Sequence, residues 1–251
     1  MNSFISWIGG KKALRKIILE QFPESGSFDR YIEVFGGAAW VLFGLEKPAK
    51  YEVYNDVNGE LVNLFRCVKY HPAALQEELR WILISREQFY DVREGIGISG
   101  FTDIQRAARF FILIKESYGS ALHSFGMMNN NLQTAVEYLN EVSARLRRTV
   151  IDNLDFEQLI TLYDRESSLF YLDPPYFSAE KVYKNKFTKE DHIRLQHSLN
   201  NIKGKFILSY NDCMEIRNLY KDYNIIDTSR TDSLVSKTHS RQYAEIIIKN
   251  Y

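Results

Sequence analysis

The stretch Ser168-Leu-Phe-Tyr-Leu-Asp-Pro-Pro-Tyr176 joins an apolar run to an acid, two prolines and an aromatic ring. Its first half reads as a buried strand, and the prolines force an extended exit with few backbone donors. Ligands of open α/β sheets bind beyond the carboxyl ends of the strands, so Asp173 and Tyr176 are placed at such a mouth. A rigid loop with a capping acid and a packed tyrosine is the plainer reading. Four particular residues directly after a buried strand make it the weaker one.

Glu33-Val-Phe-Gly-Gly-Ala-Ala39 is a second candidate. A glycine turn between a strand and an apolar segment lets a ligand approach the backbone and meet amide groups. A tight turn would explain the glycines equally well. Weight comes from Asp56, at the end of the next strand, where an acid can accept from ribose hydroxyls about 20 residues beyond the loop. Asp56 could also cap a helix starting near Val57, and both roles stay open. Trp7-Ile-Gly-Gly-Lys11 is not a phosphate loop, because Lys12 stands where Ser or Thr is needed.

The elements that must hold these residues are legible from periodicity. Lys12 to Phe22 is expected as a helix closed by Pro23, and Ala38 to Leu45 as a second apolar helix ended by Pro48. Strands are expected at Tyr31–Phe35, Lys50–Tyr54, Thr149–Ile151, Ser168–Leu172, Phe206–Tyr210, Tyr223–Asp227 and Ala244–Lys249, the last antiparallel. Between Val57 and Thr149 helical spacing dominates, as in Leu61, Leu64, Phe65 and Val68. The chain therefore divides into an α/β sheet domain, residues 1–56 and 150–251, and a mainly helical insert, 57–149.

Composition narrows the classes. Of 251 residues 45% are hydrophobic and 25% charged, which fits a globular protein rather than a disordered one. The apolar runs, such as Phe110–Ile114, are far too short for a membrane span. Two cysteines, Cys67 and Cys213, give neither a disulfide framework nor zinc spacing, so a reducing cytoplasm is expected. His192 and His197 are five apart and form no ligand pair, so no metal is expected. The 32 basic and 32 acidic residues cancel, which argues weakly against nucleic acid. Local runs escape that average: Lys11 to Lys16, and Lys181 to Lys205. Charge runs are usually solvated faces, so they acquire a role only if a site demands one.

The motifs occur in one order: Trp-x-Gly-Gly-Lys at 7–11, Glu33-x-Phe-x-Gly-Ala38, Asn55-Asp-x-Asn58, Asp-Pro-Pro-Tyr at 173–176, Phe187-Thr-x-Glu and Glu245-Ile-Ile-Ile-Lys-Asn-Tyr251. In this the chain resembles the Dam-like (D12 class) DNA adenine-N6 methyltransferases, phage and prophage members included. Asp-Pro-Pro-Tyr alone would also admit cytosine-N4 methylation; the ordered set is more specific. The resemblance implies a Rossmann-like S-adenosylmethionine-dependent methyltransferase sheet with a helical target-recognition insert. It also implies S-adenosylmethionine as cofactor, S-adenosylhomocysteine as product, and double-stranded DNA as partner, in a bacterial cell or a phage-infected host.

Position by position, the resemblance implies a cofactor site formed by Trp7, Lys11, Phe35, Gly37, Ala38, Asp56 and Asp173. Asp155 and Phe156 match the pair at the cofactor's adenine. Asp173, Pro174 and Tyr176 match the catalytic residues, with Tyr176 stacking on a flipped base. Ala39 stands where many members carry glycine, and its methyl is tolerable if the local φ is negative. Tyr118 to Gly126 resembles the ends of the recognition hairpin, shortened in the middle, so no target sequence is carried over. His123, Ser124 and Asn129 are candidate base readers, and Lys181, Lys184 and Lys186 candidate phosphate contacts. Arg145, Arg147 and Arg148 could touch phosphate or simply cover a helix surface. Since one chain carries every part, a monomer is expected.

Overall fold

The computed structural model describes residues 1–24, 26–126, 132–177, 187–231 and 242–251. Among them one sheet runs in the order β3-β2-β1-β4-β5-β7-β6. Its strands are β1 (Arg30–Glu33), β2 (Tyr51–Asn55), β3 (Thr149–Asp152), β4 (Ser168–Leu172), β5 (Lys205–Asn211), β6 (Asn224–Thr231) and β7 (Gln242–Lys249). The first five pair in parallel, and β7 enters antiparallel between β5 and β6. Every expected strand is present within two residues at its ends, except that β6 runs four residues past Asp227; Ser168–Leu172 shows no shift, and the last strand has the expected direction. β4 is buried along its whole length, as an apolar strand in the middle of a parallel sheet must be.

The order of the strands reverses between β1 and β4, so the carboxyl ends at Glu33 and Leu172 flank the crevice where such sheets take ligands. On one face lie α1 (Arg15–Glu20) and the helices of the insert: α2 (Gly59–Tyr70), α3 (Pro72–Arg80), α4 (Arg86–Glu94), α5 (Asp103–Glu116) and α6 (Leu132–Leu146). Leu61, Phe65, Phe111 and Leu139 of these helices share one core with Tyr31, Tyr54 and Tyr171 of the sheet. The other face carries α7 (Phe156–Tyr163), α8 (Lys189–Asn200) and α9 (Met214–Leu219) over a second core.

Two local expectations fail for one reason. Ala38 to Leu45 forms no α-helix; only a 3₁₀ turn appears, at Leu42–Gly44. Ala39 has φ +55°, not a negative value, two residues after Gly37 at +48°. Left-handed residues cannot continue a right-handed helix. The chain turns here because its amides are committed elsewhere: Gly36 N–H donates to the Asn55 carbonyl at 2.7 Å and Leu42 N–H to the Glu33 side-chain carboxyl at 2.7 Å. Ala39, fully buried, therefore keeps its methyl against backbone strain of about 1 kcal/mol.

Candidate active site

The glycine loop is held from both sides. A side chain on Gly36 would collide with the Tyr54 ring and the Asn55 carbonyl, so only glycine fits. Gly37 N–H donates to Asp56 Oδ2 at 2.9 Å, and the Tyr54 hydroxyl donates to the Gly37 carbonyl at 2.9 Å. The cap of α2 is Asn58, whose side chain accepts from the amides of Glu60 and Leu61. That separates the two roles left open for Asp56, which instead orders the loop and accepts Asn58 N–H at 2.8 Å. Burial pushes its carboxyl up, and the backbone hydrogen bonds from Asn58, Gly37 and Val57 oppose that. Each oxygen keeps acceptor capacity toward the cavity it lines.

Across the crevice, Asp173 is anchored at both oxygens. Lys11 Nζ lies 2.6 Å from Oδ1 and 2.7 Å from Oδ2, and the Ser209 hydroxyl donates to Oδ1 at 2.9 Å. Lys11 is only 5% exposed; the carboxylate and the Gly9 carbonyl at 3.0 Å offset its desolvation. Its ammonium also lies 4.7 Å over the Tyr176 ring. The Tyr176 hydroxyl donates to Glu245 at 2.5 Å.

These groups face a cavity of about 640 Å³. Trp7, Lys11, Phe35, Gly37, Ala38 and Asp56 line it on one side, Asp173 and Pro174 on another. The insert closes it through Arg93, Phe110, Leu122 and His123, and Phe110 packs on Trp7 at 5.9 Å. Asp155, Phe156 and Tyr176 do not line it. Asp155 caps α7, accepting Glu157 N–H at 3.0 Å, and pairs with both terminal nitrogens of Arg194. Phe156 is buried beneath Phe35, ring centroids 5.8 Å apart. His123 reaches the cavity wall while its carbonyl accepts from Arg93; the Ser124 carbonyl accepts Tyr118 N–H in a short hairpin. Asn129, Lys181, Lys184 and Lys186 lie outside the described residues. Arg145 is engaged with Glu52.

Sequence reading left Glu33, Ser209 and Glu245 without roles. Glu33 lines the cavity, fully buried, and its Oε2 accepts from both the Tyr31 hydroxyl and Leu42 N–H at 2.7 Å. Burial raises its pKa from 4.5 to about 8, with the charges of Asp173 and Glu52 adding to the rise and the two hydrogen bonds opposing it. It therefore carries a proton at neutral pH. A carboxyl whose folded pKa lies above its unfolded one stabilises fully below the unfolded value, and that contribution disappears as pH rises through about 8. Glu33→Gln keeps the shape and removes the titration. Between pH 6 and 9 the melting temperature of the parent should fall relative to this variant; parallel melting curves across that window would refute the shift.

The profile of the family described as D12 class N6 adenine-specific DNA methyltransferase matches residues 7–234. Over the whole chain, 28% identity relates it to the "Type II methyltransferase M1.LlaDCHI" of Lactococcus lactis subsp. cremoris, 96% of which is covered. The "Type II methyltransferase M.CviBI" of Paramecium bursaria Chlorella virus NC1A is 27% identical, with all of both chains covered.

Proposed function

The chain belongs to the D12 class of N6 adenine-specific DNA methyltransferases, and from that premise we propose that its methyl donor is S-adenosylmethionine and its acceptor an adenine flipped out of duplex DNA. One observation carries the reading: Asp173, anchored at the switch point of the sheet, opens onto the same cavity as the glycine loop and Asp56. A glycine that no side chain can replace and a cavity of this size fit a nucleoside-bearing ligand.

Trp7, Lys11, Phe35, Gly37, Ala38 and Asp56 would hold the cofactor, with the Asp56 carboxylate accepting from the ribose. Phe156 supports Phe35 from below. Asp155 Oδ2, which accepts from Arg194, keeps acceptor capacity for the cofactor's adenine. Bound there, S-adenosylmethionine supplies a methyl group already activated on a sulfonium. The remaining work is positioning and electrostatics. The exocyclic amine of adenine is a poor nucleophile because its lone pair is delocalised into the ring. Asp173 and the Pro174 carbonyl accept its two N–H bonds, which favours a pyramidal nitrogen, and Tyr176 stacks on the base. His123, Ser124 and Asn129 are assigned to the bases, Lys181, Lys184 and Lys186 to phosphates, with one chain acting alone. Among the described residues no helix is long and apolar enough to cross a membrane.

The test is incubation with labelled S-adenosylmethionine and unmethylated genomic DNA, followed by single-molecule sequencing. Label at adenine within one short motif is the expected result and supplies the target sequence. Label on cytosine, or none, overturns the proposal.

A further inference from the structure

We infer that Glu245 is a positioning residue that fixes the direction in which the Tyr176 side chain projects toward the target base. The closing Glu-Ile-Ile-Ile motif is unused by the assignments above. Three isoleucines follow Glu245 on β7, yet the acid itself is 1% exposed. Burying a carboxylate costs several kcal/mol unless it is partnered, so an apolar residue would serve a purely packing position better. One partner of this carboxylate is the Tyr176 hydroxyl at 2.5 Å. Burial first, and then the charges of Asp173 and Glu245, raise the pKa of that phenol well above its ordinary value, so it stays protonated and donates.

Glu245 does not act in isolation. It stands opposite Asn211 in the antiparallel pair of β7 and β5. Asn211 accepts Phe177 N–H at 3.1 Å and donates to the Phe177 carbonyl at 3.3 Å, while Ser209, two residues back along β5, binds Asp173. Ser209 and Asn211 share one face of their strand. The ends of β5 and β7 thus hold the Asp-Pro-Pro-Tyr segment at three points: the acid, the tyrosine and the residue after it. A ring anchored at its hydroxyl cannot swing about χ1 without breaking a charge-assisted hydrogen bond. This assignment rests on the proposed reaction, in which Tyr176 stacks on the extrahelical adenine.

The experiment is a cycle of Glu245→Ala, Tyr176→Phe and the double variant in the full chain, with Glu245→Gln as the conservative control. Methyl transfer to DNA and binding of S-adenosylmethionine are measured on each. Loss of a hydrogen bond to a charged group should lower kcat about tenfold to hundredfold in each single variant, with cofactor affinity within about twofold of the parent. The double variant should be no slower than the slower single one, because the two changes remove one interaction. Glu245→Gln, whose carbonyl can still accept from the phenol, should stay within about threefold of the parent. Should Glu245→Ala fail to fold, Tyr176→Phe and Tyr176→Phe/Glu245→Gln carry the same comparison, and the added Gln should change nothing. Losses that multiply, cofactor affinity that falls in step with kcat, or Tyr176→Phe at full rate would each overturn the inference. A parent enzyme that transfers no methyl to DNA fails differently, because it removes the reaction on which the tether acts.

Discussion

Asp173→Ala is expected to lower methyl transfer by a factor of about 10³ or more while cofactor binding survives. The carboxylate is immobilised before any substrate arrives, with Lys11 and Ser209 fixing both oxygens. Its direction is therefore part of the scaffold, and a preorganised acceptor costs no reorganisation when charge builds on the amine. Alanine also strips a nearly buried ammonium of its counter-ion, leaving Lys11 with the Gly9 carbonyl and the Tyr176 ring. A melting-temperature drop worth about 1–3 kcal/mol should accompany the loss of rate. Asp173→Asn separates the two effects. Its amide keeps the shape but presents an N–H donor where an acceptor is required, so this variant should fold and remain slow. Transfer of labelled methyl at saturating DNA, read beside a thermal melt, decides the matter. An Asn variant retaining more than about a tenth of the parent rate would sink the role given to Asp173.

What could be read from the sequence followed local rules, and what escaped it depended on distant partners. β4 is an apolar run bounded by polar residues and prolines, and both its limits and its burial were legible. The glycine loop and Asp56 were also found together, because strand, turn and acid succeed one another along the chain. Ala38 to Leu45 misled because Ala-Trp-Val-Leu-Phe is good helix material. What forbids the helix is a buried acid, Glu33, claiming the Leu42 amide, and two left-handed residues, Gly37 and Ala39, one residue apart. Asp155 matched a family position, but its salt bridge to Arg194, 39 residues on, is invisible to spacing. The same holds for Ser209 and Glu245, which meet the Asp-Pro-Pro-Tyr segment only through the register of β5 against β4 and β7.

The insert illustrates the same dependence on partners. Its helices have the expected periodicity, yet the apolar faces of α2, α3, α5 and α6 are buried in one core with Tyr31, Tyr54 and Tyr171, while α4 packs through Phe89 and Val92 on Leu113 of α5. The cavity wall at Phe110 and the scaffold behind Asp56 are thus parts of one packed body. A change at the junction of insert and sheet should therefore be felt as global stability.

Arg145→Met is the sharpest probe of that junction, and it is expected to destabilise the fold by about 3–5 kcal/mol. Arg145 closes α6 and reaches β2, where its two terminal nitrogens lie 2.6 and 2.8 Å from the Glu52 oxygens; one of them also donates to the Leu42 carbonyl at 2.9 Å. The Glu52 side chain is only 2% exposed, and Thr149 and Ala49 complete its hydrogen bonds at 3.1 and 3.2 Å. Removing the cation leaves a buried carboxylate with neutral donors alone, so the cost is that of an unpaired charge rather than of a lost surface contact. For a chain of this size that corresponds to a melting point lower by roughly 10 °C. Arg145→Lys should recover only part of it, since a single ammonium cannot reproduce two parallel contacts together with the Leu42 bond. Arg145→Met/Glu52→Gln should lose less than Arg145→Met, because the second change removes the stranded charge. Thermal or urea melts of the three variants test this directly, and a loss below about 1 kcal/mol in Arg145→Met would place the pair among ordinary surface contacts. Below its melting point that variant should still methylate DNA, because Arg145 braces the strand that leads into Asp56 and does not itself line the cavity.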